Sequence, residues 1–189
     1  MVTLLYSGNL GIGQDLGTVL RAAAGVNGRA DLRILIVGGG KGLGQIRQLA
    51  AGLGLANVEF RAPVPLYRLP ELLAGGDIHI ICQKSGTEGL LVPSKIYSTL
   101  AAGRSSLFVG PADCEVGRIV HDSRSGFVVE PGDVRGASNA LMNLVRSDAL
   151  RREMGQNAKE YYEYYFGRRR SVAKIITIIE QVGQNGHSS

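Results

Sequence analysis

Short apolar runs recur along the first two-thirds of the chain, and between them apolar positions fall at helical spacing. Residues 3–7, 33–37, 58–61, 78–82, 105–109 and 127–129 form the runs. They are brief and rich in Val, Ile, Leu and Phe, as buried strands are. Residues 15–24, 42–53, 66–74, 94–102 and 115–122 read as helices, and glycine-bearing joints mark most of the strand ends. After Pro131-Gly-Asp133 the pattern is helical throughout, over 134–146, 148–165 and 169–182. In the last of these, Val172, Ile175, Ile176, Ile179 and Val182 share one face. No internal repeat and no second core appear. The alternation predicts an α/β fold, a Rossmann-like doubly wound parallel sheet of about six strands with further helices at its C-terminal end.

In a sheet of that kind ligands bind outside the carboxyl ends of the strands, where the strand order reverses. With the common order 3-2-1-4-5-6, the crevice lies between the first and fourth strands, and the loops leaving them are 8–14 and 83–92. The first loop opens Gly8-Asn9-Leu10-Gly11, whose glycines let backbone approach a phosphate or a sugar closely. An ordinary strand-to-helix turn would look the same. The second loop carries Lys84, Thr87 and Glu88 and runs into Leu91-Val-Pro-Ser-Lys-Ile-Tyr-Ser-Thr-Leu-Ala-Ala-Gly103. Here Pro93 suits a helix start, Ser94 an N-cap and Gly103 the C′ position, so a helix N-terminus faces the crevice. Such an end favours an anion, and Lys84 and Lys95 are candidate counter-charges for a diphosphate. Each also fits a plain surface lysine.

Other chemistry is excluded more readily. Gly38-Gly-Gly-Lys-Gly42 has Gly42 where a Walker loop needs Ser or Thr, and Leu43 where a dinucleotide fingerprint needs its third glycine. It reads as a tight turn at the cleft edge. His79 lies inside an apolar run and reads as a core residue; His121 and His187 have no partner at metal-ligand spacing, and neither do Cys82 and Cys114. No metal and no cofactor are expected. The 189 residues suit one domain, 44% of them are hydrophobic, and no apolar run reaches membrane-spanning length. The start Met1-Val-Thr-Leu-Leu-Tyr lacks a basic leader, so a cytoplasmic protein is expected. The net charge of +5 draws on Arg151-Arg152 and on Arg168 to Arg170. These suit solvated helix faces; contact with acidic headgroups at the inner face of the cytoplasmic membrane is the further candidate, and nucleic acid is not expected because no recognition module accompanies the charge.

Four segments resemble family 4 glycosyltransferases, most closely the bacterial enzymes that build O-antigen and capsule polysaccharides. They are Pro93-Ser-Lys-Ile-Tyr-Ser-Thr-Leu-Ala-Ala-Gly103, Ser125-Gly-Phe-Val-Val-Glu-Pro-Gly-Asp133, Tyr6-Ser-Gly-Asn-Leu-Gly11 and Arg151-Arg-Glu-Met-Gly-Gln-Asn-Ala158, spread over nearly the whole chain. The resemblance implies the donor-binding half of a GT-B fold over residues 1–182; the terminal stretch 183–189 reads as a disordered tail. It also implies an N-terminal acceptor-binding domain missing from this chain. A nucleoside-diphosphate sugar is the implied donor, a UDP-sugar being the expected member, and retaining transfer without a metal the implied reaction. By the same resemblance the segment Phe60-Arg61-Ala-Pro-Val-Pro65 holds the base, largely through backbone groups, and Phe60 fits a core residue equally. The family's basic residue after the first glycine loop is replaced by Gln14 and Asp15. Its two glutamates seven residues apart fall on Leu90 and Ser98, with Glu88 two positions early. Ser98 would therefore meet the ribose in a different way, and Glu88 is the acid left to meet the sugar. Two rival readings stay open: half of a nucleotide-sugar epimerase, and a binding module whose donor site has decayed. An NAD-dependent oxidoreductase is a distant third.

Overall fold

The computed structural model describes residues 1–11, 13–26, 31–87, 93–167 and 176. Among the described residues, six strands and seven α-helices follow one another: β1 (Val2–Ser7), α1 (Leu16–Val26), β2 (Leu32–Val37), α2 (Leu43–Gly52), β3 (Val58–Arg61), α3 (Leu69–Ala74), β4 (Ile78–Cys82), α4 (Lys95–Ala101), β5 (Ser105–Val109), α5 (Glu115–Ser123), β6 (Gly126–Val129), α6 (Val134–Arg146) and α7 (Asp148–Tyr165). The sheet order is β3-β2-β1-β4-β5-β6, and every pairing is parallel. This is the doubly wound sheet with the strand order that the alternation predicts. The expected helix over 169–182 and the tail lie outside the described residues, apart from Ile176.

The inner strands are largely apolar because both faces are covered, β4 and β5 being buried at every position, whereas the edge strand β3 carries Glu59 and Arg61. Leu4, Tyr6, Ile34, Ile36, Ile78, Ile80, Leu107 and Val109 point to one side and meet α1, α2 and α6. Ile81 and Phe108 point to the other, where α4, α5 and α7 bring Ile96, Leu100, Val116, Val120 and Ala158. Leu5, Leu35 and Val37 meet Leu72 of α3 on that second side. The central strand closes late in sequence: the Thr3 amide donates to the Asp77 carboxylate at 2.7 Å, 74 residues away.

Two helix ends bear on the site. Gly103 adopts φ +61, its amide reaches Leu100 O at 3.0 Å and that of Arg104 reaches Thr99 O at 3.3 Å, so α4 ends in the glycine motif expected of it. Its start differs from expectation. Ser94 has helical backbone, φ −57 and ψ −13, and its side chain makes no capping bond. A tight turn already leads into the helix at Pro93, whose carbonyl accepts from Ile96 N at 3.2 Å, so Ser94 holds the expected boundary position but its hydroxyl caps nothing. At α1 the boundary residue Asp15 is the cap, accepting from the Thr18 amide at 3.3 Å and the Thr18 hydroxyl at 2.6 Å.

Candidate functional site

A cleft of about 780 Å³ opens at the carboxyl ends of β1, β2 and β4, where the strand order reverses. Gly8, Asn9, Gly13 and Gln14 of the first loop form one wall, and Ser94, Lys95 and Ser98 of α4 form another. Pro63, Val64, Leu69 and Leu72 supply an apolar side, and Cys82 and Gln83 lie at the end of β4. Gly38 and Gly39 make the edge, as the tight turn expected there. Their turn is pressed on the first loop: Gly8 N donates to Val37 O at 2.8 Å and Leu10 N to Gly39 O at 2.7 Å. A Cβ on Gly38, which has φ +151, would stand 1.9 Å from Gly8 O. Only glycine fits.

Lys95 is the one charged side chain among the described residues of the lining. Its stem crosses Gly8, and its Nζ donates to the Tyr6 hydroxyl at 2.7 Å while lying 3.9 Å above the Tyr6 ring. That hydroxyl in turn donates to Asn9 O at 2.7 Å. Burial pulls the Lys95 ammonium down to about 8, with the Cys82 thiol acting weakly the other way. It is therefore still mostly protonated at neutral pH. Burial pushes the Tyr6 phenol up beyond its ordinary range, and the Cys82 thiol up to about 12, so both stay neutral beneath the cation. No described residue of the lining is an Asp or Glu. The chamber is apolar on one side, amide-rich on the other and positive at its floor, which suits a nucleoside diphosphate.

The twelve residues named from the sequence divide by place. Gly8, Asn9, Ser94, Lys95 and Ser98 line the cleft, with the Ser98 hydroxyl donating to Lys95 O at 2.9 Å. Gly11 and Lys84 line an adjoining recess of about 170 Å³ together with Lys41. The Lys84 amide ties the two loops by donating to Gly13 O at 2.8 Å. Leu10 contributes to the recess, but its side chain is buried in the core. Phe60 and Arg61 stand off the cleft. Phe60 packs on the core with Arg47 5.2 Å from its centroid, and Arg61 points outward to pair with Glu59. The stretch of that loop which does reach the cleft is Pro63-Val64. Thr87 is also off the lining, its hydroxyl bonded to Lys84 O at 2.7 Å. Glu88 and Leu90 lie outside the described residues.

Where a basic residue was expected, Gln14 folds back so that its Oε1 accepts from Gly11 N at 2.5 Å, and Asp15 is taken up by the cap of α1. Tyr6 and Gln83 were missed. Both are polar residues within or just after an apolar strand, Tyr6 fully buried and Gln83 nearly so. That polarity was the available signal. His79 is the core residue expected, bonded to Thr99 Oγ1 at 3.1 Å and Leu73 O at 3.0 Å, with burial lowering it to about 4.

Residues 2–161 match the family model described as glycosyl transferases group 1. The putative colanic acid biosynthesis glycosyl transferase WcaI of Escherichia coli K12 is 35% identical over 162 residues, covering 85% of this chain and 38% of that protein. The O-antigen chain mannosyltransferase C of Escherichia coli is 29% identical over 148 residues, 73% of this chain and 36% of that one. This chain thus spans less than half the length of the curated relatives it matches. The fold superposes on Anabaena HepE in complex with UDP with a TM-score of 0.73 at 16% identity, over 99% of this chain and 49% of that one. It superposes on the catalytic domain of cholesterol-alpha-glucosyltransferase from Helicobacter pylori with a TM-score of 0.71 at 19% identity, over 86% of this chain and 98% of that one.

Proposed function

The chain belongs to the group 1 glycosyl transferases, and from that membership we propose that its cleft binds the nucleoside diphosphate of an activated sugar, a UDP-sugar first of all. The donor serves retaining transfer to a glycan or lipid-linked acceptor in cell-surface polysaccharide synthesis. The observation that carries this reading is the Lys95 ammonium, anchored at the floor of the cleft beside the glycine loop. The relatives support it: HepE was solved with UDP, WcaI is named for colanic acid biosynthesis and mannosyltransferase C for the O-antigen chain.

Chemically, the bond that breaks joins the sugar's anomeric carbon to a β-phosphate oxygen, and negative charge grows on that oxygen. A fixed cation in a partly desolvated cleft stabilises that charge more than it stabilises the ground state. Lys95 takes this role, with no metal bridging the phosphates. In the first turn of α4 the Ile96 amide contributes little to this, because it is already bonded to Pro93 O at 3.2 Å. The apolar side formed by Pro63, Val64 and Leu72 suits the base. A second domain supplies the acceptor, and this chain alone binds donor without transferring it. A cytoplasmic setting, with contact at the inner membrane face, goes with a lipid-linked acceptor.

A thermal-shift titration with UDP, UDP-GlcNAc, GDP and NAD tests the reading. Ligand at 100 times its Kd stabilises by about 2.7 kcal/mol, roughly 5–10 °C for a domain of this size. Stabilisation by UDP species and not by NAD is expected. Absence of any shift refutes donor binding and favours a decayed site, for which the missing carboxylate at Ser98 is the motivating observation. In the complete polypeptide, retained anomeric configuration by NMR is expected; epimerised nucleotide sugar without glycoside would replace this reading with an epimerase.

A further inference from the structure

Resting on that reading of the cleft, we propose that Tyr6 is a positioning residue which holds the Lys95 ammonium and the Asn9 carbonyl in one fixed relay beneath the diphosphate. The phenol has a single proton and donates it to Asn9 O at 2.7 Å. Its lone pair is therefore turned toward Lys95, which donates to it at 2.7 Å. The direction of both bonds is set. Lys95 reaches Tyr6 across 89 residues of sequence, from α4 to β1, and its stem crosses Gly8 on the way. One phenol thus fixes three parts of the site: the cation, the loop backbone at Asn9, and the distance between α4 and the glycine loop.

Burial makes the relay rigid. Tyr6 is fully buried, packed in the core beneath α1, so its oxygen stays where the strand puts it. The ring also lies 3.9 Å under Nζ, and its face adds attraction to the hydrogen bond. A lysine has four rotatable side-chain bonds, and an untethered one loses rotamer freedom when it grips an anion. Tyr6 removes that freedom in advance, so the cation is pre-ordered for phosphate. A merely structural tyrosine would support the fold and affect every ligand of the cleft alike. A positioning tyrosine affects only ligands that Lys95 touches.

The substitution Tyr6→Phe keeps the ring and removes the hydroxyl. Calorimetric Kd values for UDP and for uridine, on wild type and variant, give the readout as the preference for UDP over uridine. The expected result is a fall in that preference of about tenfold, with uridine affinity held, which is the scale of a hydrogen bond to a charged group. In a Lys95→Met background the same substitution is expected to leave the preference unchanged. A preference that falls less than fivefold in Tyr6→Phe overturns the proposal, whether or not both ligands weaken. So does a fall of the same size without Lys95. If wild type binds neither ligand, the donor reading itself fails, which is a separate outcome from an unchanged preference in a binding-competent protein.

Discussion

Replacing Lys95 by Met should make the domain more stable and less able to bind its ligand. Lys95 ionises at about 8 in the fold against an ordinary 10.5, because burial disfavours its charge. A shift of that size is about 3 kcal/mol of penalty for carrying the ammonium into the fold. The sign follows from proton counting. Below pH 8 both folded and unfolded chains hold the proton and the penalty is complete. Between 8 and 10.5 the unfolded chain holds more protons, so stability rises with pH, and above 10.5 the penalty is gone. Methionine keeps the stem and removes the charge, while the lost bond to the Tyr6 hydroxyl takes back about 1 kcal/mol. A net gain of about 1–2 kcal/mol at pH 7 is expected, roughly 3–6 °C in Tm. Urea denaturation at pH 7 and pH 10 measures it, and the gain should shrink at the higher pH. UDP affinity should meanwhile fall about 30-fold or more with the charge-assisted bond removed. A variant that is less stable at pH 7, or gains equally at both pH values, would refute the burial penalty. Unchanged UDP affinity would remove Lys95 from the site.

Three further outcomes are expected. UDP binding should take up protons near pH 8 and weaken as pH rises through it, since the phosphate favours charged Lys95; calorimetry in buffers of different ionisation enthalpy reads that uptake directly. Gly38→Ala should destabilise by about 3 kcal/mol or more, combining a positive φ with the 1.9 Å approach to Gly8 O, and an unchanged urea midpoint would contradict the contact between the two loops. His79 ionises at about 4 against an ordinary 6.5, so its contribution is present above pH 6.5 and is lost as pH falls toward 4, on the scale of about 3 kcal/mol. A His79→Gln variant whose acid limb matches wild type would show that other groups govern it.

The sheet was legible because strands covered on both sides cannot alternate with polar residues. Runs such as Ile34 to Val37 and Ile78 to Cys82 announce themselves. The location of the cleft followed, since strand order alone locates the reversal. Single residues were less readable. Phe60 and Arg61 follow each other on β3, and strand parity sends one ring to the core and the other side chain outward, leaving neither for the cleft. Ser94 looked like a cap because serine usually is one, but its hydroxyl caps nothing in the turn that Pro93 leads in. Tyr6 was missed for a different reason. Its significance depends on a lysine 89 residues away, and no local pattern carries that contact.

The position of β1 in the middle of the sheet bears on how the protein is made. A growing chain releases β1, α1 and β2 early, and these pair along one edge of β1. The other edge awaits β4, so the backbone groups around Leu4 and Leu5 stay unmatched until residues 78 and 79 have left the ribosome. During that interval this edge of β1, with Leu4 and Leu5 on it, is open to any extended chain nearby. Slow translation between β3 and β4 would lengthen that exposure, and the yield of folded protein would then depend on synthesis rate as well as on final stability.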